Sequence, residues 1–168
     1  MRIRKTGASQ DPGGQARTGP DAAQAMTALY QAHYQSMVRL AVLLVSDQAV
    51  AEDIVQDCFA ATYSAWATLP GVDAALSYLR RSVVRRSRSA PQVPAGQNPQ
   101  AAPPLPGAAD VLALRALPAR RREVLVLRYF ADLPEAEIAS VTGIRTAAVR
   151  SYAARAMSSL RAGLPLAE

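Results

Sequence analysis

The stretch EAEIASVTGIRTAAVRSYAA, residues 135–154, decides the fold, because its spacing predicts two helices that meet across a tight turn. Ala139 is small where the two helices would approach each other, and Gly143 can adopt the positive φ that ends the first helix. Val149 falls where the second helix must pack against the first. Two further apolar residues complete this contact, Ile138 and Ile144. The pattern predicts a helix-turn-helix.

The second helix of this pair, from about Thr146 to Leu160, is basic on the face that points away from the first helix. An ordinary helical hairpin buried in a bundle is the alternative interpretation. Arginines recur along the helix and just before it, which favours DNA binding with the helix in the major groove. Arg155 is expected to meet phosphate, one turn beyond the base-reading residues. The residues expected to face DNA are Arg145, Thr146, Ala147, Arg150, Ser151 and Arg155.

Composition limits the function classes that the chain can belong to. The 168 residues carry a net charge of +6, and Lys5 is the one lysine among 19 basic residues. Arginine is the better ligand for phosphate and guanine, because its planar fork can donate two hydrogen bonds. A single cysteine (Cys58) and a single histidine (His33) predict no internal disulfide, no metal cluster and no cofactor. No apolar run predicts a membrane span or a signal peptide, so we expect a cytoplasmic protein without membrane insertion.

The chain divides by composition into four parts, and the periodicity of its apolar residues predicts an all-α fold. Residues 1–20 are basic and rich in glycine, which predicts a disordered tail. Residues 21–90, the first module, contain three amphipathic stretches. Residues 91–109 contain six prolines and no charge, which predicts a linker. Residues 110–168, the second module, contain the helix-turn-helix.

Acidic residues are concentrated on one face of the second predicted helix of the first module. Asp53 and Asp57 lie one turn apart and repel each other, and no basic residue occurs from 46 to 76 to relieve them. A solvated face and a surface for an external basic partner are equally good interpretations on charge alone. The acidic face comprises Glu52, Asp53, Gln56 and Asp57.

The third predicted helix of the first module is strongly basic. Five arginines occur within nine residues, beside Tyr78, and this density is typical of a surface for a polyanion. These arginines are Arg80, Arg81, Arg85, Arg86 and Arg88. In the second module, Pro118 is expected to open a helix whose inward residues include Val124, Leu125, Leu127 and Tyr129.

Two motif blocks, in this order, resemble the extracytoplasmic-function sigma factors of bacterial RNA polymerase. The first block is AEDIVQDCF at residues 51–59. The second begins at Leu117-Pro118 and continues through EIA at residues 137–139 to Val149. Its other matching positions are Arg122, Leu125, Leu127, Tyr129, Arg155, Ala156 and Leu160.

The resemblance implies a function for each charged surface. The first module would bind the clamp helices of core RNA polymerase through its acidic face and melt the minus-ten promoter element. The second module would bind the minus-thirty-five element as duplex through the second helix of its helix-turn-helix, which is the recognition helix. An anti-sigma protein is a further partner that the resemblance implies. The residues expected at the minus-ten element are Trp66, Tyr78, Arg80, Arg81 and Arg85.

Two other classes of protein remain as alternatives. A stand-alone helix-turn-helix regulator would use the same DNA-binding helix, but it predicts a dimer on palindromic sites and leaves the acidic face unexplained. An enzyme such as a nuclease needs a nucleophile with supporting groups, or carboxylates at metal spacing. Asp53 and Asp57 imitate such a pair, but no convergent set of polar residues accompanies them. The sequence therefore favours a binding protein over an enzyme.

Overall fold

The structure, a computed structural model, describes residues 20–90 and 113–163, and all regular elements within these ranges are helical, as predicted. The first module contains α1 (Pro20–Val45), α2 (Gln48–Ala65), a 3-10 turn (Trp66–Thr68) and α3 (Val72–Ser89). The second contains a helical turn at 113–116, α4 (Ala119–Leu125), a π-helical turn (Val126–Phe130), α5 (Glu135–Thr142) and α6 (Thr146–Gly163). The predicted tail, up to residue 19, and the predicted linker at 91–109 lie outside the described residues.

The junction between α1 and α2 shows why the first helix ends where it does. Ser46 has a positive φ of 67°, a conformation that an α-helix cannot continue. Asp47 then caps α2, because its carboxylate accepts a hydrogen bond of 2.9 Å from the backbone N–H of Val50. The apolar face of α2 is completely buried at Ala51 and Val55, which turns this helix toward α1 and α3 and its acidic face outward.

The helix-turn-helix predicted from residues 135–154 is confirmed. Gly143 has a φ of 73°, and its N–H donates a hydrogen bond of 2.9 Å to the carbonyl oxygen of Ala139. Ile138 and Val149 are both completely buried between α5 and α6. The glycine turn and this apolar contact together fix the angle between α5 and α6.

The expectation that Tyr129 faces inward is wrong. Its side chain is 63% exposed, whereas Val124 and Leu127 are completely buried. The reason is the π-helical turn, in which the N–H of Ala131 bonds to the carbonyl oxygen of Val126, five residues earlier. This wider turn changes the phase of the helix, so the side chains that follow Leu127 no longer continue the buried stripe.

The two modules pack against each other. The π-helical turn contacts α1, and α5 contacts α3. Buried residues of both modules, among them Val45, Val84, Leu127 and Ile138, belong to one continuous apolar core. A separate small cluster of Leu117, Leu125 and Ala156 lies within the second module. The contact between α3 and α5 brings the basic helix of the first module to the acidic first turn of the helix-turn-helix.

Candidate nucleic-acid interface

The recognition helix α6 presents its predicted DNA-facing residues to solvent. Val149, Ala153 and Ala156 are buried and fix one side of the helix against α5 and α4. The opposite side is therefore open along more than two turns. The exposed residues there, or just before the helix begins, are Arg145, Thr146, Ala147, Arg150, Ser151 and Arg155.

Arg150 is held by the carboxylate of Glu135, a residue that the sequence did not link to it. Its Nε donates a hydrogen bond of 2.6 Å to Oε2 of Glu135, the first residue of α5. Arg128 donates a bond of 3.0 Å to Oε1 of the same carboxylate. The hydrogen bond and charge of Arg150 lower the pKa of Glu135 below its ordinary value, and Glu135 raises the pKa of Arg150. No sequence pattern links residues fifteen apart across a turn, so this contact needed the structure.

Two of the three arginines predicted for the minus-ten element contact the second module. Arg80 pairs with Glu137 at 2.9 Å, and both side chains are mostly covered. Arg81 donates a hydrogen bond of 3.2 Å to the hydroxyl of Ser140. Arg85 is exposed. In this arrangement, α5 covers part of the basic face of α3.

A further arginine of α3 also contacts the second module. Arg88 pairs at 2.6 Å with Glu123, whose side chain is only 4% exposed, and donates to the carbonyl oxygen of Thr142 at 2.9 Å. Arg120 also pairs with Glu123, at 3.3 Å. Such a covered carboxylate requires its cations, because a buried unpaired charge is costly. Arg88 therefore acts as a structural residue in this arrangement.

The aromatic residues expected at the minus-ten element are half-buried. Trp66 begins the 3-10 turn after α2 and packs against the main apolar core. Tyr78 lies on α3, two residues before Arg80, and is also half-buried. Both residues are therefore partly accessible to solvent.

The acidic face of α2 is exposed at Asp53, Gln56 and Asp57 and half-buried at Glu52. The expectation that no basic residue relieves its charge is wrong, because Arg86 of α3 pairs with Asp57 at 2.7 Å. The counter-charge comes from a helix 29 residues later, which local sequence could not show. The side chains of this pair are 41% and 66% exposed, so its contribution to stability is small. Asp53 makes no ion pair with a described residue.

Cys58 is a buried structural residue. Its side chain is completely covered, and this burial raises the pKa of the thiol to about 11. Within residues 20–90 and 113–163, no group of three or more His, Cys, Asp or Glu residues could hold a metal ion. No helix in these ranges is both long enough and apolar enough to cross a membrane.

Two family matches cover the two modules separately. Residues 29–90 match Sigma-70 region 2, and residues 111–160 match Sigma-70, region 4. The chain is 31% identical over 140 residues to the RNA polymerase sigma-E factor of Streptomyces coelicolor, which covers 75% of this chain and 78% of that protein. The sigma-E factor of Streptomyces antibioticus is 30% identical over 130 residues, which are 70% of this chain and 72% of the relative.

A solved structure, that of CnrH in complex with the cytosolic domain of CnrY, shares the fold. The two chains superpose with a TM-score of 0.67 and 25% identity, over 84% of this chain and 92% of CnrH. Region 2 carries the acidic face of α2 and the basic helix α3, and region 4 carries the recognition helix α6. The chain therefore belongs to the sigma-70 family, as an extracytoplasmic-function sigma factor of bacterial RNA polymerase.

Proposed function

We propose that this sigma factor divides promoter-specific initiation among three surfaces, each on one helix. The acidic face of α2 binds core RNA polymerase, the basic face of α3 holds the minus-ten element, and α6 reads the minus-thirty-five element as duplex. The observation that carries the proposal is the exposed polar and basic face of α6, which follows a glycine turn and lies opposite the buried contact of Ile138 with Val149, within a region 4 match. A stand-alone regulator would not need a region 2 module, such as the one that residues 29–90 match.

On α6, two arginines should have different functions. Arg150 lies near the middle of the exposed face, within reach of base edges, whereas Arg155 lies a further turn along, where phosphate is expected. Replacing Arg150 with Ala should weaken binding to the cognate minus-thirty-five duplex about tenfold or more and spare a scrambled duplex. Replacing Arg155 should weaken both duplexes alike and lower the salt slope by about one. Equal losses on both duplexes for Arg150→Ala would leave base reading to Arg145, Thr146 and Ala147.

On α3, we propose that Arg80, Arg81 and Arg85 hold the backbone of the melted minus-ten strand, while Trp66 and Tyr78 cover an exposed base step. Arg80 and Arg81 contact α5 in the arrangement described, so α5 must move away before they can bind DNA. Alanine at all three arginines should reduce open-complex formation more than polymerase binding. Permanganate footprints as strong as those of the wild type would contradict this assignment.

On α2, Asp53 and Asp57 are proposed to pair with basic residues of the polymerase clamp. Reversing both charges should weaken core binding by about 2 kcal/mol if the pairs are desolvated in the complex. Folding should change little, since the Arg86–Asp57 pair is exposed. Polymerase affinity that is unchanged in the double variant would remove this assignment.

The remaining assignments follow from the family and from the composition of the chain. We propose the division at 1–20, 21–90, 91–109 and 110–168 as tail, region 2 module, linker and region 4 module, and both family matches fall inside their modules. CnrH was solved with the cytosolic domain of CnrY, which supports an anti-sigma protein as a partner of this chain. The protein acts in the cytoplasm by binding, without a catalytic site of its own.

A further inference from the structure

The contact between Glu135 and Arg150 fixes a side chain that is otherwise free to move. The side chain of Arg150 is 75% exposed, and that of Glu135 is 23% exposed. Arg128 holds the other oxygen of the same carboxylate, so Glu135 is fixed on both sides. Glu135 also lies in the first turn of α5, where its backbone is set by the start of the helix. The carboxylate is therefore a rigid anchor for the arginine across the turn.

The atoms used in this contact leave the base-reading edge of Arg150 open. Glu135 accepts from Nε, on one edge of the guanidinium. The two terminal amino groups of Arg150 donate no hydrogen bond to any residue that the structure describes. Those two groups form the edge that can donate to both O6 and N7 of a guanine. An arginine that is held at Nε loses less conformational freedom when it forms this pair of bonds.

The charge of Glu135 has the opposite effect on total affinity. A carboxylate beside the recognition helix repels the phosphate backbone, and it partly neutralises an arginine that could otherwise bind phosphate. An acidic residue at position 135 therefore does not raise general DNA affinity. Its effect on discrimination and its effect on general DNA binding should therefore have opposite signs.

We propose that Glu135 is a specificity-determining positioning residue, which holds Arg150 for a bidentate contact to a guanine of the minus-thirty-five element at the expense of general DNA affinity. This inference rests on the proposed function, because it requires Arg150 to contact a base. The competing explanation is that the ion pair only joins α5 to α6. That explanation predicts a loss of thermal stability and an equal effect on all DNA sequences.

The test uses full-length protein and a duplex selected by the wild type from a randomised library. A second duplex differs only at the guanine whose replacement costs the wild type most. Glu135→Ala should reduce the affinity ratio of the two duplexes about two- to tenfold, the range set by ordering one long side chain on binding. Affinity for the changed duplex should stay equal or rise. Glu135→Gln, which keeps an acceptor without the charge, should fall between the wild type and the alanine variant.

Three controls separate the possible outcomes. Asp132→Asn removes a negative charge from the same module at an exposed residue outside the ion pairs of Arg150, and should leave the ratio unchanged. Glu135→Ala combined with Arg150→Ala should give the ratio of Arg150→Ala alone. A normal ratio in Glu135→Ala, with a reduced ratio in Arg150→Ala, would overturn the role of Glu135 but not the base contact of Arg150. A normal ratio in Arg150→Ala would overturn both the base contact and this inference.

Discussion

Replacing Glu137 with Gln should strengthen DNA binding by the first module, although Glu137 belongs to the second. Glu137 pairs with Arg80 at 2.9 Å in the contact between α5 and α3. Gln keeps the size of the side chain but loses the charge that attracts Arg80. The substitution therefore weakens the closed arrangement and frees an arginine that is proposed to bind the minus-ten strand.

The size of the effect follows from the exposure of the pair. The two side chains are 20% and 28% exposed, so the interaction lies between an exposed ion pair and a buried charged hydrogen bond. An intermediate value of about 1–1.5 kcal/mol follows from these two limits. This energy corresponds to about a tenfold shift of the closed-to-open equilibrium. Affinity for DNA should rise by up to that factor and level off once the open state predominates.

The assay measures fluorescence anisotropy on a forked duplex with a single-stranded segment, since phosphate contacts do not depend on promoter sequence. Opening is followed by energy transfer between dyes at Gln31→Cys and Ser158→Cys, two exposed positions in different modules. The buried Cys58 should not take up dye. Arg80→Ala together with Glu137→Gln should lose the gain in affinity. An unchanged affinity for Glu137→Gln despite a measured opening would show that Arg80 does not bind DNA when it is released from Glu137.

Three further predictions concern stability. Gly143→Ala should lower the free energy of unfolding by about 1–2 kcal/mol through backbone strain alone, because φ is 73° and an added Cβ meets nothing within 4 Å; Gly143→Asn should cost less in the same thermal melts. Glu123→Ala should lower it by about 1.5–3 kcal/mol through the loss of charged hydrogen bonds, and a double-mutant cycle with Arg88→Ala should show coupling, whereas additive losses would mean that this ion pair contributes nothing to the contact between the modules. Cys58 should resist thiol reagents in the folded protein. Since the pKa of its thiol is raised to about 11, the stability that it contributes should be complete below pH 8 and decline as pH rises toward 11.

The sequence predicted those features that depend on local chemistry. The positive φ of Gly143 and the burial of Ile138 and Val149 each follow from a residue type at a fixed place in a helix. The exposed face of α6 follows from the same periodicity. The prediction that Tyr129 faces inward was wrong because a π-helical turn changes the phase of a helix, and no residue type in the sequence indicates such a turn.

The contacts between distant segments could not be predicted. Arg86 reaches Asp57 from the next helix, Glu135 holds Arg150 across a turn, and Arg88 reaches Glu123 from the other module. The surplus of arginine offers several possible partners for each carboxylate, so charge alone does not choose among them. Composition likewise indicated a boundary at the proline-rich segment, but it carried no information on whether the modules touch.

The three surfaces serve one function, in which this protein starts transcription by delivering core RNA polymerase to a promoter. The direct measurement is transcription by purified core polymerase on linear templates with randomised upstream sequence, with and without the protein, followed by sequencing of transcript 5′ ends. We expect discrete start sites only with the protein, downstream of shared minus-ten and minus-thirty-five elements, and their loss when Asp53 and Asp57 are both replaced by Lys. Binding to palindromic DNA as a dimer, without any new transcripts, would contradict this function.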